Sequence, residues 1–457
     1  MYRKGSYIAG RIAGLAAVML FGCMVAVQTP YVQTRLTLKV LDRLTETLDS
    51  RISYDELRVM PSGVLLLRNA VILDEHPYTD DAFGRGWDRV DTLFRAKTVT
   101  ATFRLSSIFR GEGLHLDRVN IDDAMLHLTS EPGEYPGNLE RVFRLEPQTE
   151  RPEPGPEIFS IRKVRISNFR FRLNNFNEAE SVYPGYGINY DDLDLTADVN
   201  AHGLRFAGGR MYGTADRISA TEKSGYRIIR ASGRCEAGQG KTLVENFRLQ
   251  DPWSQIRVRT LSMAYAKPDA FNNFVEEVLM EVDLRGTELG IPTLKYLANT
   301  FDGVESTLSI RSCDFKGYVN DFSFSGLRFE DRKNGVAGTL SGGAVGLPDT
   351  GRMLADIDVE ELNFDSRGLS GMLADWMEDA PDLSSYAPGV RFKLSAAASG
   401  PLDRLRVEAA LRSAAGSVHL NADVRNLVSS ARGIEINADL GTSALRIDGI
   451  MPGLPFG

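Results

Sequence analysis

Histidine and cysteine are scarce in this chain: its 457 residues hold five and three of them. Chemistry that depends on those side chains has little to draw on. His76, His115, His127, His202 and His419 are scattered, and there is no HExxH, no GxSxG and no glycine-rich phosphate loop. His115 and His127, on the polar side of an expected hairpin, are the nearest approach to a metal pair, and two solvated strand histidines are the plainer reading. Three cysteines make neither a disulfide scaffold nor a cysteine zinc site. Cys23 lies in an apolar segment, which leaves Cys235 and Cys313 as one bridge or as isolated thiols. Positive charge is also in deficit, with 53 Lys and Arg against 61 Asp and Glu and a net charge of -8. Nucleic acid needs a dominant basic footprint, so it is excluded as a general partner. Asp122-Asp123 and Asp191-Asp192 sit where turns are expected. Adjacent strand residues point to opposite faces, so neither pair forms an acid/base couple. No catalytic, cofactor or metal site is expected, and the chain does not read as an enzyme.

Long apolar runs are absent but for one, Ile12 to Val27, which as a helix spans roughly 24 Å at about 1.5 Å per residue. Tyr7 to Gly10, with Arg11 snorkelling, extend it toward the roughly 30 Å of a bilayer core. Ile12, Leu15, Val18, Leu20, Phe21, Val25 and Val27 are its bulky anchor residues. Three readings compete: an uncleaved anchor, a signal peptide cut near Ala26-Val27-Gln28, and a lipoprotein signal at Leu20-Phe21-Gly22-Cys23. Phe21 is bulky for a lipoprotein site, Met24 to Val27 stay apolar, and the signal-peptide site is poor, which favours the anchor. Arg3, Lys4 and Arg11 precede the run and the next cation is Arg35, so the amino terminus is expected in the cytoplasm.

Beyond Pro30, Val32, Leu36, Val40, Leu44 and Leu48 recur in steps of four and predict an amphipathic helix over Tyr31 to Asp49, packed in a core or lying on a membrane. From Ile52 the period becomes two. FRFRL at Phe169, DDLDLTADVN at Asp191, SVHLNADV at Ser417 and IEINADL at Ile434 alternate strictly, as half-buried antiparallel strands do. Gly203, Gly208-Gly209, Gly213 and Gly225 read as punctuation between them. Short helices are expected at Asp269 to Val278, Pro292 to Phe301 and Leu369 to Met377. No long helices alternate with the strands, which argues against a doubly wound fold. FRLSSIFRGEGLHLDRVNIDDAMLHL, Phe103 to Leu128, reads as strand, tight turn and two further strands. LLLRNAVILDE at Leu65, LHLDRVNIDDAMLHL at Leu114 and IRKVRISNFRFRL at Ile161 share a form, strand, polar step, strand, and suggest one sheet grown by repeated hairpins. Six prolines between Ser130 and Pro156 mark a linker or exposed loop around a short helix, Asn138 to Leu145. The expected organisation is a tail and anchor over 1–30, a helix plus β unit over 31–130, the proline-rich segment 131–156, and an elongated β region over 157–457.

These residues resemble the AsmA-like superfamily of envelope proteins, its TamB-like members in particular. The resemblance runs through the anchor, QTRLTLKVLDRL at Gln33, ISYDELRV and VLLLRNAVILD, and the Phe103 to Leu128 stretch. It continues in GINYDDLDLTADV at Gly187, SGYRIIRASGRC at Ser224, LGIPTLKYLANTF at Leu289, GLPD at Gly346 and GPLDRLRV at Gly400. None is a catalytic motif; their order carries the likeness. TamB-like proteins are much longer and close with a characteristic C-terminal domain, so the chain looks like an amino-terminal portion, a truncated product or a short relative.

The resemblance implies a mainly β protein: a transmembrane helix, then an elongated antiparallel sheet folded lengthwise into an apolar groove, with a few short helices. It implies an inner-membrane anchor with the bulk of the chain in the periplasm. Phospholipid acyl chains are the implied cargo, moving between inner and outer membranes. An outer-membrane barrel assembly protein of the TamA/BamA type is the implied partner in the alternative role, as scaffold or chaperone in outer-membrane protein assembly and secretion. The residues expected to line such a groove are Phe169, Phe171, Leu173, Leu193, Leu195, Val199, Val418, Leu420, Ile434 and Ile436. In an antiparallel sandwich with its faces packed together, the same residues are plain core. Arg170, Arg172, Arg257 and Arg259, on polar faces, meet either water or lipid phosphate.

Overall fold

The computed structural model describes residues 52–60, 62–74, 91–103, 114–130, 138, 157–175, 186–207, 210–238, 240–266, 270, 273–297, 303–347, 352–376, 380–426 and 435–443. The apolar run 12–27, the helix expected over 31–49 and the groove candidate Ile434 lie outside the described residues. Among those residues no helix is long and apolar enough to cross a membrane. The chain is mainly β, with, among the described residues, twenty strands of a long and almost wholly antiparallel sheet and few short helices. It divides into two compact units, 1–183 with 189–209 and 216–223, and 184–188 with 210–215 and 224–457. Strand β8, Arg210–Glu222, contributes to both.

In the first unit lie β1 (Ile52–Ser53), β2 (Glu56–Met60), β3 (Val64–Asp74), β4 (Asp91–Phe103), β5 (Leu114–Ser130), β6 (Glu157–Asn175) and β7 (Asp192–Ala207). Strands β1 and β2 both pair with β3, and β3, β4 and β5 follow as antiparallel neighbours. Strands β5 and β6 pair in parallel, from Leu114 opposite Phe159 to Ser130 opposite Asn175. The sheet therefore departs here from the purely antiparallel expectation. Alternation fixes which face a side chain takes and says nothing of strand direction. A parallel neighbour needs a crossover of a dozen residues or more, and the proline-rich stretch between Ser130 and Glu157 is long enough to supply it. Asn138, 1% exposed, ties that connection to the end of β5: its Oδ1 accepts from Thr129 N at 3.0 Å and its Nδ2 donates to His127 O at 2.8 Å.

The polar steps inside the repeated segments are not hairpin turns. Leu114–Ser130 is one 17-residue strand and Glu157–Asn175 one 19-residue strand. LLLRNAVILD likewise runs unbroken in β3. At each step a residue takes a left-handed backbone: Asn69 (φ 48°), Asp123 (φ 52°), Asn168 (φ 51°) and, in β7, Gly203 (φ 63°). Asn and Asp tolerate this region better than other side chains, and Gly does so freely. Two consecutive residues are exposed at Arg68-Asn69, Asp122-Asp123 and His202-Gly203, and the apolar set resumes on the same face three residues on. The register shift between Ile166 and Phe169 marks the same event as a β-bulge, which bends a strand. Asp122-Asp123 and Gly203 thus lie within strands, as does Gly213, whereas Gly225 does occupy a turn. Leu93, fully buried, forms the small core of this unit with Ile52, Ile72, Leu126 and Leu128.

The second unit is an unbroken antiparallel ladder. Its strands are β9 (Arg227–Gly238), β10 (Lys241–Gln250), β11 (Gln255–Ala264), β12 (Leu279–Gly290), β13 (Thr307–Tyr318), β14 (Asp321–Asp331), β15 (Val336–Val345), β16 (Leu354–Asp365), β17 (Arg391–Pro401), β18 (Arg404–Ser413), β19 (Gly416–Arg425) and β20 (Glu435–Thr442). Each pairs with the next in sequence. Left-handed steps recur at Asn246 (φ 53°), Gly286 (φ 64°) and Gly326 (φ 58°), with register shifts at Glu245/Arg248 and Phe324/Leu327. Three short helices fall where the sequence predicts helical interruptions: α1 (Phe274–Glu277), α2 (Ile291–Leu297) and α3 (Ser366–Trp376).

Candidate functional site

The strongest feature of the second unit is an apolar face built by register. Strands β16 to β19 align Leu362, Leu394, Leu411 and Val418 in one row. A second row, Val359, Ala396, Ala409, Leu420 and Leu440, and a third, Ile357, Ala398, Val407, Ala422 and Ala438, extend onto β20. Cross-strand partners share a face and neighbouring strands lie about 4.8 Å apart, so five strands carry about 19 Å of continuous hydrocarbon. The other face pairs Lys393 with Arg412, Glu408 with Asn421 and Asp423 with Asn437.

Burial separates this face from an ordinary core. In β17 exposed and half-buried residues alternate without a fully buried one, and Leu394, Leu411 and Leu420 are half-buried. Inner-face residues of a packed sandwich are sealed. In β20 every residue is exposed, Ile436 at 65% and Leu440 at 64%. Among the described residues no strand pairs with the far edge of β20.

The first unit places the other candidates by the same logic. Leu126, Phe171 and Leu195 share a row, as do Leu128, Leu173 and Leu193. Phe169 aligns with Ala124 and Ala197. Val199 joins Leu67, Val99, Ile121 and Ile166 beyond the left-handed step. All of the named Phe, Leu and Val candidates here are half-buried.

The polar residues are largely engaged with one another. His115 and His127 stand on one strand, not across a hairpin, and bond to different partners: His115 Nδ1 to Ser160 Oγ at 2.7 Å and His127 Nε2 to Asn174 Oδ1 at 2.8 Å. The expected hairpin dissolves because its turn is the Asp123 step. Among the described residues no cluster of His, Cys, Asp or Glu is placed to hold a metal ion. Cys235 and Cys313 are free thiols on β9 and β13. Arg259 pairs with Asp283 at 2.5 Å, and Arg257 donates its backbone N to Thr287 Oγ1 at 2.9 Å.

Arg170 grips Asp194 with Nε at 2.8 Å and Nη2 at 2.5 Å, and Arg172 approaches the same carboxylate at 3.7 Å. The Arg170 hydrogen bonds hold the Asp194 carboxyl below its ordinary 3.8, outweighing its partial burial. A depressed folded-state value contributes stability that is present above the ordinary value and is lost as pH falls through the folded one. The urea midpoint should therefore fall as pH drops from about 5 to about 2, with a shallower acid slope in Asp194→Asn. An unchanged slope would remove the pair from the acid response.

One buried cluster escaped the sequence reading. Asp251, 3% exposed in the β10–β11 turn, accepts from Trp253 N at 2.8 Å and Ser254 N at 2.6 Å through Oδ1. Its Oδ2 accepts from Tyr226 Oη at 3.0 Å and Thr293 Oγ1 at 2.7 Å. Ser254 Oγ in turn accepts from Gly290 N at 2.9 Å. One carboxylate thus ties the approach to β9, a hairpin turn and α2. Trp253 stacks on Tyr296, ring centroids 5.3 Å apart.

No protein-family model, curated protein or solved structure matches this chain.

Proposed function

We propose that this chain is an inner-membrane-anchored periplasmic protein whose strands fold lengthwise into a hydrophobic groove for phospholipid transport between the inner and outer membranes. The observation that carries the reading is the apolar face of β16 to β20, aligned row by row, with Leu394, Leu411 and Leu420 half-buried and Ile436 and Leu440 exposed. Each acyl methylene exposed to water costs about 0.8 kcal/mol, so a chain of about sixteen carbons meets a barrier of roughly 12 kcal/mol in leaving a bilayer. A continuous apolar face lowers that barrier without precise recognition, which accords with the lack of a polar binding motif. The anchor expected at Ile12 to Val27 would hold one end at the membrane. The test is the protein's own cargo: full-length protein extracted in mild detergent should retain phospholipid by mass spectrometry through extensive washing. Folded protein that is free of lipid would defeat the reading.

The edge of β20, which no strand pairs with among the described residues, favours a second reading, a scaffold for outer-membrane protein assembly beside a barrel partner of the TamA/BamA type. An edge strand that presents Ile436 and Leu440 without lysine or proline among its residues is a template for strand addition. Crosslinks from Asn437 or Asp439 to a barrel protein in cells would support it, and their absence would count against it.

A further inference from the structure

The apolar face of the second unit is capped at one end. Helix α3 leaves β16 at Asp365, whose Oδ1 accepts from Gly368 N at 2.7 Å and so caps the first turn. The turn between β14 and β15 clamps the helix from outside. Asp331, fully buried, accepts from the backbone N of Lys333 and Asn334 at 3.1 and 3.2 Å. Asn334 Nδ2 reaches Asp375 at 2.9 Å, and Lys333 Nζ pairs with the same carboxylate at 2.6 Å. A Cβ at Gly368 would overlap the backbone carbonyl of Asn334, and one at Gly371 would displace the Asn334 side chain, so the helix is seated closely on this turn.

Between α3, the segment around Leu383 and the face of β16 to β19 lies a cavity of about 320 Å³. Phe364 and Phe392 stack at 5.6 Å on its floor, and Leu369, Leu383, Leu411 and Val418 complete the apolar wall. We propose that this cavity receives the methyl end of a single acyl chain, as a stop for hydrocarbon lying along the sheet. The inference rests on the acyl-chain reading above and adds to it a defined terminus.

The lining selects this occupant. It holds no charged side chain, so a phosphate or carboxylate headgroup would enter without a counter-charge. Its Ser413 hydroxyl is already engaged, accepting from Ala415 N at 3.1 Å and donating to Gly416 O at 3.3 Å. The strand backbones beneath are committed to their ladders. A peptide segment would therefore bury amides without partners, whereas a hydrocarbon end has none to satisfy. The row Ala396–Ala409–Leu420 on the open face is followed along the strands by Leu394–Leu411–Val418 at the wall, so a chain can lie along the strands with its end under the helix.

The test uses full-length protein in vesicles carrying a photoreactive fatty acid with its diazirine at the methyl end, beside one with the diazirine near the carboxylate. Adducts of the methyl-end probe should concentrate on residues 364–418 at the cavity wall, and those of the carboxylate-end probe should not. Leu411→Trp, which fills the cavity, should cut the cavity adducts about tenfold and leave adducts at Phe171 and Leu195 in place. Retention of the native urea midpoint by Leu411→Trp separates filling from unfolding. Adducts on the open face but none at the cavity, or equal labelling there by both probes, would overturn this inference alone. No adducts anywhere on folded protein would overturn the acyl-chain reading itself.

Discussion

A photoreactive amino acid placed at Leu394, Val407 or Leu420 should capture phospholipid in cells, and the same group at Lys393, Glu408 or His419 should not. The two sets alternate along the same three strands, so expression, folding and depth along the sheet are matched and only the face differs. The first set is half-buried and aligned in apolar rows, whereas the second is exposed. A methylene gains about 0.8 kcal/mol on leaving water, so a few contacts suffice to bias an acyl chain to one face by more than tenfold. Phe171 and Leu195 should behave like the first set and Arg172 and Asp194 like the second, since each pair lies opposite its partner in register. Silence from both sets in folded, membrane-bound protein would mean that the apolar face is sealed and would shift the balance to the scaffold reading.

Asp251→Ala should destabilise the second unit by about 3–5 kcal/mol, the largest loss expected from any single polar substitution. The carboxylate is nearly inaccessible and accepts four hydrogen bonds, two from backbone and two from hydroxyls. Alanine leaves those donors facing a void. The hydroxyls of Tyr226 and Thr293 can turn elsewhere, but the backbone N–H groups of Trp253 and Ser254 cannot. Asp251→Asn keeps one acceptor oxygen and should fall between wild type and alanine. Thr293→Val, which removes a single donor, should cost about 1 kcal/mol. Urea unfolding followed by tryptophan fluorescence reads all three, because Trp253 donates its backbone N to Asp251 and its ring stacks on Tyr296. A loss below about 1 kcal/mol for Asp251→Ala would show that the turn holds its shape without the carboxylate.

Much of this architecture is legible in the chain itself. FRFRL and SVHLNADV announce which side chains share a face because the strand repeat is local and needs no partner. The three short helices also announce themselves, since IPTLKYL and GLSGMLADW interrupt the alternation for long enough to turn. Asp251 was not legible. DPWS reads as any polar turn, and its Tyr226 and Thr293 partners stand 25 and 42 residues away in sequence. The left-handed steps left a trace that pointed the wrong way. An apolar phase shift across SN, DD or RN has the same appearance whether the chain reverses or merely bulges, and only the pairing of β5 with β6 along its full length decides between them.

The sequence by itself determined the faces: alternation, with phase shifts at Asn69, Asp123, Asn168 and Gly203, assigns each strand residue to the apolar or the polar side through backbone geometry alone. Tertiary structure decided the rest. Whether two strands run parallel, which rows meet across the sheet, and whether a hydrocarbon face is covered depend on contacts between residues far apart in the chain. No local period encodes those contacts, and burial measures the outcome: Phe364, in the cavity beside α3, is 7% exposed, while Leu440, equally apolar, is 64% exposed on a strand with one paired neighbour among the described residues.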